Sequence, residues 1–164
     1  MNFTIKERKI KGRFVCDAEL LGKDKKCFVG KPDSMVFENG QSQNGKISHS
    51  GAYSSKIDAN LPFGMGIKFN GLEYGESFKA SVWRKSGTKA GGGVVASCSN
   101  LFYYTDCQVV ESGSDGWEKI QMEFFVKAEL ANLELIVYLY NPHENPVYYD
   151  DLEIIRYARP ALWD

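Results

Sequence analysis

Several short stretches of the chain alternate between apolar and polar side chains, and this alternation constrains the fold more than any other feature. Phe78, Ala80 and Val82 occupy every second position, so an extended strand would place them on one side. The stretches 117–126 and 132–140 follow the same pattern. Short alternating strands with polar, glycine-containing turns between them predict an all-β fold, an antiparallel sandwich or barrel. The core-facing residues predicted in these two stretches are Ile120, Met122, Phe124, Val126, Leu133, Leu135, Val137 and Leu139.

Length and charge narrow the class of protein further. A chain of 164 residues fits a single domain, 1–164, in which residues 1–34 form either N-terminal strands or a linker. With 20 Lys and Arg against 21 Asp and Glu, the charge balance argues against nucleic acid or an anionic membrane as a partner. No apolar run approaches the roughly 20 residues of a membrane helix, so we expect no membrane insertion.

The four cysteines, Cys16, Cys27, Cys98 and Cys107, fall into two local pairs. Zinc motifs usually bring their cysteines much closer together in sequence. The even number permits disulfides, such as one between Cys98 and Cys107 across a hairpin. Because free cysteine is also among the most buried residue types, the sequence leaves both alternatives open.

The stretch 146–155 predicts a final strand that carries an unusual carboxylate. Alternation places Tyr148 and Asp150 on the same inward face as Leu152 and Ile154. A buried carboxylate must be paired, hydrogen-bonded or bound to a metal. Asp151, on the opposite face, is expected to point outward and to be an ordinary surface residue.

The order of several segments along the chain resembles that of a known family. Residues 37–40 (FENG), 49–54 (HSGAYS) and 147–154 (VYYDDLEI), with Trp83 between the second and third, resemble the corresponding pieces of bacterial carbohydrate-binding modules with a galactose-binding-like fold. The resemblance spans about residues 35–156. It implies an antiparallel jelly-roll β-sandwich and a non-catalytic module appended to a polysaccharide-degrading enzyme.

The same resemblance implies a structural calcium ion at one edge of the sandwich. By position, its ligands would be Glu38, the 48–51 turn represented by Ser50, and Asp150. Calcium takes six to eight oxygen ligands, carbonyls included, so it would neutralise an inward Asp150. The alternative is that Asp150 caps a turn or pairs with Lys or Arg.

Residues facing away from the core suggest a ligand surface. Alternation turns Trp83, Tyr138 and Tyr140 outward, where their rings would stack on sugars, while Gln121 and Lys79 would bind hydroxyl groups. Exposed aromatic rings are otherwise unfavourable unless another segment covers them.

A second location for a ligand site is the set of loops at one end of the sandwich, with Tyr103, Tyr104 and His143. The sequence does not discriminate between the sheet face and these loops.

No catalytic constellation is found in the sequence. Neither of the two histidines lies in an HExxH motif, and there is no GxSxG. Asp150 and Asp151 are adjacent, so a strand would point them to opposite faces and they could not flank one glycosidic bond. We therefore predict a carbohydrate-binding module rather than an enzyme. The alternative is a structural or protein-interaction module that binds no sugar. In either case we expect part of an exported extracellular or periplasmic protein with neighbouring domains. Because residues 1–13 do not resemble a signal peptide, a cytosolic protein is the other alternative.

Overall fold

Two antiparallel β-sheets pack face to face in the computed structural model, which describes residues 8–86 and 92–161. This arrangement confirms the predicted all-β sandwich. Two single-turn 3-10 helices, Gly40–Ser42 and Ala128–Leu130, join strands. The strands within the described residues are β1 (Ile10–Cys16), β2 (Cys27–Gly30), β3 (Met35–Glu38), β4 (Gln43–Asn44), β5 (Ser54–Ile57), β6 (Phe63–Phe69), β7 (Ser77–Ser86), β8 (Gly93–Cys98), β9 (Phe102–Asp106), β10 (Gln108–Ser112), β11 (Trp117–Phe125), β12 (Leu135–Tyr140) and β13 (Val147–Tyr157).

The last strand occupies a central position in one of the two sheets. The seven-stranded sheet has the order β10-β11-β7-β13-β5-β4, and β1 also pairs with β13. Along one edge β13 pairs with β7, whereas along the other it pairs first with β5, over residues 147–149, and then with β1, over residues 152–157. The six-stranded sheet has the order β2-β3-β6-β12-β8-β9.

The core lies between the sheets and contains the residues that alternation places there. Phe78, Ala80 and Val82 on β7 are completely buried. Of the eight residues predicted on the later stretches, seven are buried, and Leu133 packs against the core while remaining partly exposed. The periodicity of the sequence therefore identifies the inward face of these strands correctly, because a period of two permits only one buried face.

The N-terminal segment forms strands rather than a linker within its described part, residues 8–34. Val15 and Lys31 exchange two backbone hydrogen bonds of 2.9 Å, which join β1 in one sheet to the end of β2 in the other. Gly30 is needed at this crossing, because a Cβ there would lie 2.3 Å from the carbonyl oxygen of Val15. Residues 1–7 lie outside the described part of the chain.

A buried carboxylate joins three strands at one end of the seven-stranded sheet. Glu76 is fully buried and accepts two hydrogen bonds of 2.8 Å from the Arg156 guanidinium and one of 3.0 Å from the Lys11 ammonium. The backbone N–H of Glu73 donates a fourth, at 2.7 Å. Burial alone raises the pKa of Glu76, but these donors outweigh burial and hold its pKa below the usual range.

All four cysteines are free thiols: Cys16 and Cys98 are buried, and Cys27 and Cys107 are partly buried. The disulfide alternative is therefore not realised in this structure. Within residues 8–86 and 92–161, no helix has the length and apolar character needed to cross a bilayer.

Two neighbouring positions on β12 provide a test of the core. Leu135 is fully buried, whereas Ile136 points to the outer face and is only partly buried. We expect Leu135→Ala to lower the free energy of unfolding by about 2–5 kcal/mol, because it removes buried apolar volume. Ile136→Ala should lower it by less than about 1 kcal/mol. Chemical denaturation of both variants measures the difference, and equal losses would contradict the assignment of faces.

Candidate functional site

A β-bulge in the middle of β13 sets the geometry around Asp150. The pairing register between β13 and β7 shifts between Asp150 and Glu153, and Asp151 adopts a left-handed backbone conformation with φ of 54°. Because the extra residue reverses the alternation, Tyr149 is fully buried and Tyr148 is only partly buried. The prediction that Tyr148 faces inward was therefore wrong. Asp150 is fully buried, as predicted.

Backbone N–H groups surround the Asp150 carboxylate. Its Oδ2 accepts hydrogen bonds from the backbone nitrogens of His49, at 2.8 Å, and Ser50, at 3.0 Å. Its Oδ1 accepts one from the backbone nitrogen of Asp151, at 2.8 Å. Such bonds replace the water that a buried carboxylate loses. Of the alternatives considered from the sequence, Asp150 therefore acts as the acceptor that fixes a turn.

The predicted calcium ligands do not come together as one set of oxygen donors. Ser50 lies beside Asp150, but through its backbone N–H. Glu38 lies on β3 in the other sheet, where it forms an ion pair with Lys68 at 3.5 Å. No group of three or more His, Cys, Asp or Glu side chains placed to hold a metal is found among residues 8–86 and 92–161. This donor arrangement does not fit calcium, because the groups found around Asp150 are N–H donors, whereas calcium needs six to eight oxygen ligands. The calcium ion stays a prediction from the resemblance.

Asp151 has a structural role that the sequence did not predict. Its Oδ1 accepts a 2.7 Å hydrogen bond from the Ser50 hydroxyl, and its Oδ2 lies 2.8 Å from Nδ1 of His49. Because an ionised carboxylate can only accept, Nδ1 carries the hydrogen of this bond. Asp151 is thus outward, as predicted, but it is not an ordinary surface residue. Together with Asp150 it holds the loop 48–51 by both backbone and side chain.

A third carboxylate continues this pattern along the chain. Oε1 of Glu19 accepts hydrogen bonds of 2.9 Å from the backbone nitrogens of both Ala52 and Tyr53. Gly51, with φ of +60°, passes so close to Glu19 that a Cβ would lie 2.3 Å from the same oxygen. The backbone from His49 to Tyr53 is therefore fixed by carboxylates on either side of it.

A cleft of about 730 Å³ opens on the outer face of the seven-stranded sheet. Its floor is formed by β7, β11 and β13, and its wall by the N-terminal segment. The cleft is lined by Val15, Cys16, Asp17, Glu19, Leu20, Val29, Gly30, Lys31, Ser34, Ser81, Trp83, Lys119, Asp151, Leu152 and Glu153. This volume lies within the usual range for small-molecule sites.

The strand register places polar groups beside an aromatic ring on the floor of the cleft. Lys119 pairs with Trp83, and Ser81 pairs with Glu153 on the next strand. Side chains paired in this way lie on one face within about 4.5–5.5 Å at their Cβ atoms. Lys119 and Glu153 both line the cleft, and Glu153 forms an ion pair with Arg13 at 3.6 Å. The floor therefore offers an indole with hydrogen-bonding groups around it.

The five residues predicted to bind a ligand do not share one surface. Trp83 lines the cleft, and Lys79 and Gln121 lie on the same outer face but outside the cleft lining. Tyr138 and Tyr140 lie on β12, which belongs to the six-stranded sheet. The prediction of a single face was wrong in this respect, because alternation gives the side of a strand but not the sheet to which the strand belongs.

Tyr138 and Tyr140 instead form an aromatic patch on the opposite side of the molecule. The ring of Phe63 stacks on Tyr140, with ring centroids 5.3 Å apart, and meets Tyr138 edge-on at 5.7 Å. Burial raises the pKa of Tyr138, and a hydrogen bond with Ser97 opposes this shift. Phe63 remains 47 % exposed.

The residues of the alternative loop site are likewise dispersed. Tyr103 and Tyr104 lie within β9 rather than in an end loop, with Tyr103 exposed and Tyr104 packed against the core. His143 is exposed in the loop before β13, and its backbone nitrogen donates to the Asn141 side chain at 2.9 Å. These three residues do not define a site.

Sequence reasoning missed Ser81, Lys119 and Glu153, although a signal for them was present. Alternation places Ser81 on the outward face with Trp83, and places Lys119 on the outward face with Gln121. The N-terminal wall of the cleft could not be found in this way, since it depends on contacts between residues far apart in sequence.

Comparison with known proteins identifies relatives in fold. No family model and no curated protein sequence matches the chain. The CBM22-1 xylan-binding domain of Xyn10C from Paenibacillus barcinonensis superposes with a TM-score of 0.51 at 12 % identity, over 90 % of this chain and 94 % of that one. The CBM22-1-CBM22-2 tandem domain of the same protein gives 0.50 at 18 % identity, over 88 % and 50 %.

An enzyme shares the architecture to a similar degree. The Stig cyclase Fisc from Fischerella sp. TAU superposes with a TM-score of 0.50 at 11 % identity, over 96 % of this chain and 92 % of that one. The predicted resemblance to jelly-roll carbohydrate-binding modules is thus confirmed as a likeness of fold. Because the same fold is found in a cyclase, function must be argued from the site.

The protonation of Asp150 gives a measurable property of this region. Burial raises the pKa of Asp150 from 3.8 to about 7; the N–H donors of Ser50, His49 and Asp151 lower it, and the charge of Asp151 raises it. Between pH 3.8 and about pH 7, the folded state therefore binds more protons than the unfolded state. The stabilisation contributed by protonated Asp150 is therefore complete below about pH 4 and is lost as the pH rises to about 7.

Asp150→Asn removes this titration. We expect the variant to be less stable than the natural chain by about 1–3 kcal/mol at pH 5, because the Asn amide group cannot accept all three N–H bonds. The difference in unfolding free energy between the two proteins should shrink as the pH rises from 4 to 7. Denaturant unfolding at several pH values measures it, and parallel stability curves would contradict the raised pKa.

Proposed function

We propose that the chain is a non-catalytic carbohydrate-binding module that holds a glycan in the cleft on its seven-stranded sheet. The main support is the partly exposed indole of Trp83, which lines the cleft beside Lys119, Ser81 and Glu153. A sugar ring has an apolar face and a rim of hydroxyl groups. The apolar face would stack on the indole, while the ammonium, hydroxyl and carboxylate groups would bind the hydroxyls.

The charged groups of the cleft support binding rather than catalysis. Three of its four carboxylates already accept hydrogen bonds from the protein: Asp17 from the backbone of Glu19, Glu19 from Ala52 and Tyr53, and Asp151 from the loop 48–51. The fourth, Glu153, is in an ion pair with Arg13. Carboxylates engaged in this way position loops and hydroxyl groups, whereas a hydrolase needs two that act on one bond.

The proposal includes the setting in which such a module would act. It would belong to an exported protein, outside the cell or in the periplasm, and would be joined to neighbouring domains whose polysaccharide substrate it retains. The xylan-binding domain with the same fold supports a plant-type polysaccharide as the first ligand to be tried.

A matched pair of aromatic substitutions tests the location of the ligand. We expect Trp83→Ala to weaken binding to a polysaccharide by at least about tenfold, because the loss of a stacking platform removes the largest apolar contact. Tyr138→Ala, on the opposite sheet, should leave the affinity unchanged. Affinity electrophoresis against soluble xylans, glucans, mannans and galactans, followed by calorimetry, measures both. The cleft would be excluded if only the Tyr138 variant lost binding, and the function would be excluded if no glycan bound the natural chain.

The alternative is a protein-interaction module, and a specific feature favours it. Phe63 and Tyr103 are 47 % and 63 % exposed on the outer side of the six-stranded sheet, where Tyr138 and Tyr140 extend the same aromatic patch. Aromatic residues on an uncovered surface are enriched at protein interfaces. Absence of any glycan binding, together with proteins captured by the natural chain but not by a Phe63→Ser variant, would favour this function.

A further inference from the structure

An imidazole ring lies against the indole on which the proposed ligand would stack. The ring centroids of His49 and Trp83 are 4.1 Å apart, and the two planes differ by 14°. His49 also meets Trp117 edge-on at 5.4 Å, and Trp117 is almost completely buried. The two rings are thus stacked, and a second ring supports the imidazole from its edge; such contacts stabilise aromatic pairs by more than the area they bury.

His49 is held in place both at its backbone and at its ring. The backbone nitrogen of His49 donates to Asp150, and its Nδ1 donates to Asp151. The loop is closed by the Ser48 hydroxyl, which donates to the carbonyl oxygen of Gly51 at 2.9 Å. A histidine fixed at both its backbone and its ring has little freedom to leave the indole.

Trp83 has neighbours outside the cleft as well as within it. Trp83 lines the cleft, whereas His49 does not. Gly113 lies close to the indole as well, since a Cβ at this position would be only 2.9 Å from Cζ3 of Trp83. The ring therefore packs against His49 and lies close to Gly113, and it also lines the cleft.

We propose that His49 is a positioning residue for the ligand, which fixes the Trp83 indole in the orientation that the cleft requires. The proposal rests on the function proposed above. The affinity for the glycan would then depend on His49, which does not line the cleft and lies in the loop 48–51 that Asp150 and Asp151 hold.

The physical basis is the entropy of the indole. A tryptophan side chain without a stacking partner samples several rotamers. A ligand that binds to it must hold the side chain in one rotamer, and the entropy lost in this way weakens binding. With His49 in place the ring is already ordered before the ligand arrives. The imidazole thus contributes to affinity without touching the sugar.

Three substitutions separate the stack from the hydrogen bond. His49→Ala removes both, His49→Gln keeps a group that can donate to Asp151 but removes the ring, and His49→Phe keeps a ring but removes the donor. We expect His49→Ala and His49→Gln to weaken glycan binding about threefold to tenfold. His49→Phe should restore most of the affinity. His143→Ala, at the other histidine of the chain, is the control and should bind normally.

Calorimetry on the glycan that binds the natural chain gives the affinities, and the melting temperature of each variant shows that it is folded. If His49→Ala does not fold, the Gln and Phe variants carry the test. The indole N–H signals in a ¹⁵N NMR spectrum, with that of Trp83 identified by Trp83→Phe, should broaden or shift in the Ala and Gln variants and not in His143→Ala.

The outcomes separate this inference from the proposed function. If glycan binding requires Trp83 and is unchanged in folded His49→Ala, the positioning role is wrong and the module assignment stands. Tighter binding by His49→Ala would also overturn the inference, because the imidazole would then compete with the ligand. If the natural chain binds no glycan, the proposed function fails and the inference fails with it.

Discussion

The arrangement around the cleft depends on a carboxylate that has no access to water. Asp150 lies at the point where β13 ends its pairing with β5 and begins its pairing with β1, and three backbone N–H groups converge on its two oxygens. An intramolecular hydrogen bond contributes about 0.5–1.5 kcal/mol, and a buried donor left without its acceptor costs about 1–3 kcal/mol. The bulge in β13 and the loop 48–51 are therefore coupled: neither keeps its geometry if the other moves.

The sequence predicted the core well because burial on one face of a strand leaves a periodic signal. Phe78, Met122 and Leu139 could be assigned to the interior without knowledge of their contacts. The same rule failed at Tyr148 and Tyr149, since one residue with positive φ reverses the alternation, and Asp151 carries no clear mark of that conformation. Aspartate adopts the left-handed backbone conformation more readily than most residues do, but only a small fraction of aspartates have it.

The site was harder to predict because it is assembled across strands. Trp83 and Tyr138 each occupy an outward position in an alternating stretch. They nevertheless lie on opposite surfaces of the molecule, because β7 and β12 belong to different sheets. His49 reaches Trp83 from a loop that is held by residues about one hundred positions further along the chain. The order of motifs indicated that these segments belong together, but it did not predict the backbone N–H groups that surround Asp150. Only the register of the strands shows which side chains meet.

The central position of β13 also affects how the chain reaches its fold. This strand pairs with β7, β5 and β1, and its contact with β1 joins residues more than 130 positions apart, for example Cys16 and Leu152. Contacts between distant residues slow folding, because the entropy of closing a long loop is lost before the contact forms. During synthesis, the residues of β1, β5 and β7 are made before those of β13, with which all three strands pair. Until β13 is present, the edges that pair with it remain exposed. Exposed strand edges associate with other chains. We therefore expect the chain to be most prone to aggregation before β13 has been synthesised and paired.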